Sequence, residues 1–307
     1  MTNMRQTFGK TLTEIAKKDK NVVVIVADIS HGVFSDYREV IGERYFNIGI
    51  CEPAIVNIAA GLNKVGLNPV VHTIAPFLIE RSYEQIKLDF GYQNLNINLV
   101  SVGSSFDYSK LGCSHHCYED VAILKHFKRS QIFLPGSNDE FEVLFTQHYK
   151  DNKINYYRIT EHPHNHKINV DVNKREYSFK IKEGKDLTIV VLGSQLKNAI
   201  QSEEILSKQG YDIEIIYFNT VKPFEENIFL DSIRKTKKFI CIEELSYSGG
   251  LYEECLKTCL KIDKKIESDH LSINDFIHEY GSYEQLSKIA GFSLENIIQK
   301  IKNLKNK

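Results

Sequence analysis

The chain has 307 residues, of which 42% are hydrophobic, and its 39 basic and 40 acidic residues give a formal net charge of −1. That length suffices for two domains with buried cores, whereas the balanced charge argues against a nucleic-acid partner and the lack of a run of roughly 18 apolar residues argues against a membrane span. The six cysteines are too irregularly spaced for a disulfide framework, so we expect a cytoplasmic protein with free thiols.

The first half of the chain alternates helical and strand patterns. Residues 4–18 have the spacing of an amphipathic helix, and the β-branched run 21–27 is typical of a buried parallel strand. Because ligands bind at the carboxyl ends of such strands, Asp28 and His31 are candidate site residues, and we predict that His31 binds substrate. Further strands are expected at 67–74, 97–102, 131–134 and 155–159, and helices at 77–90, 118–127 and 140–149.

One carboxylate, Glu52, stands at the end of the strand-like run 45–51. After it, residues 55–62 carry apolar side chains at the i, i+3, i+4, i+7 spacing of a helix with one buried face. Glu52 is therefore expected to be half-buried at a strand-to-helix junction, where the helix N-terminus favours its anion and burial favours the protonated acid. Such a carboxyl is a candidate for catalytic proton exchange. The alternative is a first-turn acid that only complements the helix dipole.

A polar stretch after residue 160 marks a domain boundary. His162, His164 and His166 alternate in a segment without apolar periodicity, which we interpret as solvated. Strands and helices alternate again from Leu187 onward, with strands at 187–192, 213–218 and 238–242. We predict an α/β protein with two doubly wound domains, residues 1–165 and 186–307, joined by a linker at 166–185.

The loop Cys113-Ser114-His115-His116-Cys117 concentrates reactive side chains and raises two alternatives, a zinc site and a Cys–His nucleophile pair. Adjacent residues on one short loop do not easily surround a metal tetrahedrally, and structural zinc usually recruits a second, distant ligand pair. The loop also lacks an obvious nucleophile elbow at a helix N-terminus. We therefore predict no metal site within the chain.

Short motifs occur in a characteristic order along nearly the whole chain. They are Asp28, Tyr45-Phe46-Asn47-Ile48-Gly49-Ile50-Cys51-Glu52, Ala59-Ala60-Gly61-Leu62, Phe77, Arg81-Ser82-Tyr83-Glu84-Gln85-Ile86, Gly112-Cys113-Ser114-His115, Glu119-Asp120, Leu134-Pro135, Leu192-Gly193-Ser194, Val221-Lys222-Pro223, Ile242-Glu243-Glu244 and Gly249-Gly250-Leu251. In this order the chain resembles the C-terminal half of transketolases, which a split transketolase carries on its smaller subunit. The resemblance implies a pyrimidine-binding thiamine-diphosphate fold followed by a transketolase C-terminal-like domain.

The resemblance implies thiamine diphosphate as the cofactor. A glutamate at the Glu52 position hydrogen-bonds N1′ of the aminopyrimidine and stabilises the imino tautomer that deprotonates the thiazolium, so Glu52 is predicted to be catalytic and cofactor-binding. Phe77 is expected to stack on the pyrimidine, with Leu78 as the alternative in the register, and Asp28 is expected to bind the cofactor. His115 matches a loop histidine that acts on the donor sugar's oxygens, and it is predicted to be catalytic and substrate-binding.

The resemblance also implies a partner. The family's Gly-Asp-Gly…Asn motif, which binds the diphosphate and Mg²⁺, does not occur in these 307 residues. We therefore predict the β subunit of an α2β2 heterotetramer whose N-terminal subunit supplies that site, with a two-carbon ketol unit transferred between sugars. The alternatives are the β subunit of a 2-oxoacid dehydrogenase, a deoxyxylulose-phosphate synthase-like enzyme and a non-catalytic partner subunit.

Only half of the family's sugar-phosphate clamp is present. Arg5 matches its N-terminal arginine and is predicted to bind substrate, but the second arginine's place holds Glu161, whose charge would repel a phosphate. Likewise, Leu111 and Gly103 stand where sugar-phosphate enzymes have an acidic residue and a histidine. We therefore predict that the acceptor is not an ordinary sugar phosphate but a nucleotide-linked or unphosphorylated sugar. The alternative is that Arg158, or a residue of the partner subunit, takes the second arginine's place and binds substrate.

Overall fold

The computed structural model describes residues 3–306, which form two mainly parallel β-sheets with flanking helices. The strands are β1 Val22–Val26, β2 Tyr45–Asn47, β3 Asn68–Ile74, β4 Ile97–Val102, β5 Ser130–Phe133, β6 Ile154–Arg158, β7 Ser178–Lys182, β8 Leu187–Leu192, β9 Ile213–Phe218, β10 Thr220–Lys222, β11 Lys238–Ser246 and β12 Glu267–Ile273. The α-helices are α1 Met4–Lys18, α2 Ser35–Ile41, α3 Glu52–Lys64, α4 Ala75–Ile79, α5 Tyr83–Gln85, α6 Asp120–Lys125, α7 Asn138–His148, α8 Leu196–Ser207, α9 Glu226–Thr236, α10 Leu251–Cys259, α11 Tyr283–Ile289 and α12 Leu294–Lys305. None of these helices combines the length and the apolar character that crossing a bilayer requires.

The larger sheet has the strand order β10-β5-β6-β4-β3-β1-β2, and β10 is its antiparallel member. The interior strand β1, next to the edge strand β2, shows how the two faces are covered. Its five residues are all buried: Val22 and Val24 pack on the side of α1, whereas Val23 and Ile25 pack on the side of α3. A strand buried on both faces has a continuous apolar run, as the sequence has here. Helices therefore cover both faces of the sheet, as predicted.

The smaller sheet has the order β12-β11-β8-β9-β7, with β7 antiparallel to β9. Helices α8 and α12 pack on one face through Leu196, Leu206 and Ile301, and α9 and α10 pack on the other through Phe229 and Leu251. This arrangement confirms the predicted second doubly wound α/β unit. The bounds at residues 165 and 186 remain a prediction.

Contacts between the two sheets are extensive. Strand β10 follows the second unit's β9 but pairs with β5 of the larger sheet, where Thr220 lies opposite Phe133. The Lys222 ammonium donates hydrogen bonds to the carbonyl oxygens of Lys125, at 3.2 Å, and Phe127, so it binds the end of α6. One hydrophobic cluster includes residues of both units. The motif around Lys222 therefore joins the two units.

The glycines Gly249 and Gly250 precede α10 because side chains do not fit there. A Cβ atom on Gly250 would lie 2.3 Å from Oε2 of Glu243, and one on Gly249 would lie 2.3 Å from the Cβ of Ala122 in α6. The buried Glu243 carboxylate accepts a 2.6 Å hydrogen bond from the backbone N–H of Leu251 and so satisfies the first turn of α10. Close packing and the capping of α10 therefore explain why the sequence Gly249-Gly250-Leu251 occurs here.

Two predicted segments differ from the structure near the candidate site. The run 45–51 is a strand only over Tyr45–Asn47, and residues 48–51 form a loop before Glu52. The single helix expected at 77–90 is broken into α4, α5 and a π-helical segment, Ile86–Tyr92. The reason is local, because the Ser82 hydroxyl donates a 3.1 Å hydrogen bond to the carbonyl oxygen of Phe77 and competes with the helical ladder.

The polar segment expected to be a solvated linker contains an edge strand and a buried histidine. Strand β7 pairs with β9, although its mostly half-exposed residues give no clear apolar signal. The prediction that His164 is solvated was wrong. Its Nε2 lies 2.8 Å from Oε1 of the buried Glu140, whose Oε2 accepts a 2.6 Å bond from the Tyr217 hydroxyl. A buried carboxylate requires such partners, which local sequence does not reveal.

Candidate functional site

Glu52 is the first residue of α3, and Pro53 follows it in the first turn, where the missing N–H of proline leaves no bond unmade. The residue is 2% exposed, so it is more deeply buried than the expected half-buried carboxyl. Its Oε2 accepts a 2.8 Å hydrogen bond from Nη1 of Arg81. The positive end of α3 and this guanidinium both stabilise the carboxylate anion.

Phe77 contacts the same guanidinium that binds Glu52. It lies in α4, directly after β3, and its ring centre is 4.1 Å from the guanidinium carbon of Arg81. The same planar cation therefore stacks on Phe77 and binds Glu52. Leu78, the other residue predicted for the pyrimidine contact, is fully buried in the core. Phe77 is therefore the one of the two whose side chain is partly accessible. The Arg81 side chain is 44% exposed and has room to move towards solvent.

His115 contacts the Phe77 ring from the loop between β4 and α6. A 3₁₀ turn, Cys113–His115, presents it, and Gly112 enters this turn with a φ of +76°, which favours glycine. The two rings meet edge to face with centres 5.1 Å apart. Burial and the positive charge of Arg81 lower the pKa of His115, so its imidazole is mainly neutral at pH 7 and can both donate and accept a hydrogen bond.

Glu80 is a further carboxyl beside this cluster that the sequence analysis missed. It precedes Arg81 and accepts a 3.3 Å hydrogen bond from the thiol of Cys117. Burial raises the pKa of Glu80 to about 7, and the charges of Glu119 and Asp120 act in the same direction. The sequence feature that could have identified Glu80 is its position directly before Arg81, at the end of α4. A second carboxyl, with a raised pKa, therefore stands next to Arg81 in the chain.

Arg5 joins this cluster through Tyr108. Its Nη2 donates a 2.9 Å hydrogen bond to the Tyr108 hydroxyl, and the Tyr108 ring centre lies 6.2 Å from that of His115. Arg5 also forms an ion pair with Glu161, the residue that follows β6 by three positions. The structure thus brings together Glu52, Phe77, His115 and Arg5.

Asp28 and His31 belong to a neighbouring loop after β1. The Asp28 carboxylate accepts a 3.0 Å bond from the Asn47 amide, whose oxygen accepts a 3.0 Å bond from the Asp28 backbone N–H. The ring of His31 lies 3.2 Å from the Tyr45 hydroxyl and also contacts Arg38. These contacts tie the loops after β1 and β2 to each other. Among the described residues they do not extend to Glu52 or His115.

Arg158 lies apart from the cluster. The residue is 4% exposed, and its guanidinium donates hydrogen bonds to the carbonyl oxygens of Cys117, at 2.6 Å, and Glu244, at 3.3 Å. Its Nε lies 3.0 Å from Oδ2 of the buried Asp120. These contacts hold the loop before α6 against β11. They give no support to a role in substrate binding.

The cysteines and histidines of the loop 113–117 do not converge. Cys117 is buried against Glu80, whereas Cys113 is exposed. Across residues 3–306, no three or more His, Cys, Asp or Glu side chains are placed to hold a metal ion. The loop contributes His115 to the cluster through ring packing.

Comparison with known proteins places this geometry in a family. Residues 1–162 match the family model of the transketolase pyrimidine-binding domain, and residues 177–297 match that of the transketolase C-terminal domain. The chain belongs to the transketolase family. The pyrimidine-binding match includes every residue of the cluster described above.

Several relatives have a similar length. The chain is 29% identical to a putative transketolase C-terminal section of Methanocaldococcus jannaschii, over 97% of this chain and 95% of that protein. It is 26% identical to the 6-deoxy-6-sulfo-D-fructose transketolase subunit of Clostridium sp. (strain MSTE9), over 96% of this chain and 92% of that protein. It spans about half the length of the 1-deoxy-D-xylulose-5-phosphate synthases that it also resembles.

A solved split-gene transketolase, described as an inactive beta4 tetramer, shares this fold. The TM-score is 0.86, with 99% of this chain and 98% of that chain covered and 24% sequence identity. The predicted transketolase-like fold over both units is therefore confirmed.

Proposed function

We propose that this chain is the pyrimidine-binding subunit of a thiamine-diphosphate-dependent transketolase that transfers a two-carbon ketol unit between sugars. The observation that carries the proposal is that Glu52 and Phe77 both contact one planar group, the guanidinium of Arg81. A buried carboxylate and an aromatic face are the two features that an aminopyrimidine requires, and they lie within one guanidinium's reach of each other. Membership of the transketolase family supports the same function.

The residues present fit the pyrimidine half of the cofactor. The Arg81 guanidinium is planar and rich in nitrogen, and it already stacks on Phe77 while it donates a hydrogen bond to Glu52. When bound, thiamine diphosphate supplies the acidic carbon that takes up the two-carbon unit. In this proposal Phe77 stacks on the pyrimidine and Glu52 shares a proton with it through its carboxyl group. The predicted cofactor contact of Asp28 stays a prediction, since its carboxylate binds Asn47.

His115 and Arg5 would contact the sugars. The neutral imidazole of His115 can donate a hydrogen bond to one sugar oxygen and accept one from another, which orients the substrate beside Phe77. Arg5 lies farther along, beyond Tyr108. Substrate binding by His31 stays a prediction, and we assign no substrate contact to Arg158.

A separate subunit would complete the site with the groups that hold the diphosphate and Mg²⁺, in an α2β2 assembly. Apolar side chains around Glu52 support such a partner, because Ile50 is 70% exposed and Ile48 and Ile58 are also exposed. Exposed apolar groups next to a buried functional carboxylate are typical of a surface that a protein partner covers. One relative is named as a transketolase subunit, which is consistent with this division.

The proposal is tested by reconstitution. The chain is co-purified with a separately encoded N-terminal transketolase subunit, and thiamine diphosphate binding and product formation are measured for the complex and for each chain alone. The proposal predicts ketol transfer from ketose donors by the complex and no turnover by this chain alone. Release of CO₂ from pyruvate would support a deoxyxylulose-phosphate synthase-like or 2-oxoacid dehydrogenase activity instead. A complex that binds no thiamine diphosphate would support the alternative that this chain is a non-catalytic partner subunit.

A further inference from the structure

A continuous row of side-chain contacts leads away from the catalytic carboxylate and ends at an ion pair. Each member touches the next through a hydrogen bond, a ring contact or a salt bridge, so the row traces one wall of the site. The members are, in order, Glu52, Arg81, Phe77, His115, Tyr108, Arg5 and Glu161. A substrate that reacts near Glu52 and His115 and extends along this wall would bring its distal end to Arg5 and Glu161.

We propose that Arg5 and Glu161 together recognise the hydroxyl groups at the distal end of an unphosphorylated acceptor sugar and exclude a terminal phosphate. This inference rests on the proposed transketolase function and names the acceptor class of that same site. Both side chains are accessible, with exposed fractions of 23% for Arg5 and 42% for Glu161. Together they offer N–H donors and carboxylate acceptors, which a sugar hydroxyl can use at the same time.

The surroundings hold Glu161 in place. Its backbone N–H donates a 3.0 Å hydrogen bond to Oδ2 of the buried Asp107, which also accepts bonds from the Ser104 N–H and hydroxyl at 3.1 and 3.0 Å. Thr160 donates to the other Asp107 oxygen at 3.2 Å. On the following residue, the His162 ring stacks on Tyr283 with centres 3.6 Å apart. The turn that carries Glu161 is therefore anchored at three successive positions.

The charges around Arg5 oppose a phosphate. Glu161 offsets its positive charge directly. Two other described groups near Arg5 are neutral: the Tyr108 hydroxyl, which accepts a hydrogen bond from Arg5, and the imidazole of His72, whose pKa burial lowers to about 4. A phosphate dianion at Arg5 would displace the Glu161 carboxylate or face its repulsion. A hydroxyl group meets neither cost.

The test compares matched acceptors with and without a terminal phosphate. Glyceraldehyde, erythrose and ribose, each beside its phosphate ester, are assayed with the two-subunit complex carrying wild-type chain, Glu161→Gln or Glu161→Arg. Glu204→Arg, an equal charge change at an exposed position on α8, is the matched control. We expect the wild type to prefer the free sugars. Glu161→Arg should shift the kcat/KM ratio towards the phosphate esters by at least about tenfold, mainly through KM, with Glu161→Gln in between.

A second measurement needs no activity. Inorganic phosphate is titrated into the full chain alone, and binding is followed by calorimetry. Glu161→Arg should bind phosphate at least about tenfold more tightly than the wild type or Glu204→Arg. Wild-type preference for the phosphate esters, or equal phosphate affinity of wild type and Glu161→Arg, would overturn the inference. A complex that transfers ketol units to none of the six acceptors would count against the proposed transketolase function, and the phosphate titration would still decide the role of Glu161.

Discussion

The guanidinium carbon of Arg81 lies 4.1 Å from the centre of the Phe77 ring. In this position Arg81 also donates its hydrogen bond to Glu52, so one cation covers both groups proposed for the aminopyrimidine. If thiamine diphosphate binds these two residues as proposed, Arg81 has to leave this position, and part of the binding free energy is spent on breaking its contacts.

Arg81→Ala is expected to tighten thiamine diphosphate binding by about tenfold, because a cation–π contact and a charged hydrogen bond no longer compete with the cofactor. The dissociation constant is measured by calorimetry on the two-subunit complex. Lys87→Ala removes a nearby exposed cation and should leave the constant unchanged. Equal or weaker binding by Arg81→Ala would show that Arg81 does not compete with the cofactor.

Glu244 should make stability depend on pH. Burial raises its pKa from 4.5 to about 7, although the Tyr283 hydroxyl and the Gln195 amide both donate to it. Between these values the folded chain keeps a proton that the unfolded chain has released, so the free energy of unfolding falls as pH rises from about 4.5 through about 7. Denaturant titrations at about pH 5 and pH 8 should show Glu244→Gln reducing this loss by about 2 kcal/mol. The same slope in Glu244→Gln and wild type would contradict the assignment, and Glu204→Gln serves as the exposed control.

Gly250→Ala should lower the free energy of unfolding by about 2 kcal/mol, because the added Cβ would lie 2.3 Å from the carboxylate that caps α10. Gly61→Ala in α3 is the matched control, since no atom lies within 4 Å of its added Cβ. That change should stabilise the chain by about 0.5–1 kcal/mol through helix propensity. Equal unfolding midpoints for the two variants would show that Glu243 moves aside at little cost.

The sequence was sufficient for the elements buried on both faces. Strands β4, β8 and β9 have the predicted bounds because interior parallel strands are buried on both faces and rich in apolar residues. Helix α1 has its predicted bounds because one apolar stripe spans it. Strands β7, β10 and β12 were missed because edge strands are short or partly exposed. Their stability comes from pairing with distant segments, which local periodicity does not report.

The sequence identified some members of the candidate site but none of the contacts between them. Glu52, Phe77 and His115 stand out by motif, whereas the bond between Arg81 and Glu52 spans 29 positions and the pair of Arg5 with Glu161 spans 156. The fold brings these residues together, so their contacts had no local signal. Arg158 shows the converse, because the sequence offered it as a replacement for the missing arginine of the phosphate clamp. Its buried hydrogen bonds to the carbonyl oxygens of Cys117 and Glu244 do not support that role.

The most direct test of the account is the turnover of the two-subunit complex carrying Glu52→Gln. The amide keeps the shape of the side chain and can accept the Arg81 hydrogen bond, but it cannot exchange a proton with the cofactor. We predict a kcat for ketol transfer at least about 100-fold below wild type, with the unfolding midpoint and thiamine diphosphate affinity nearly unchanged, and wild-type activity for Glu84→Gln, an exposed glutamate on α5. A Glu52→Gln complex within a few-fold of wild-type activity would show that Glu52 only complements the dipole of α3, and would contradict the account.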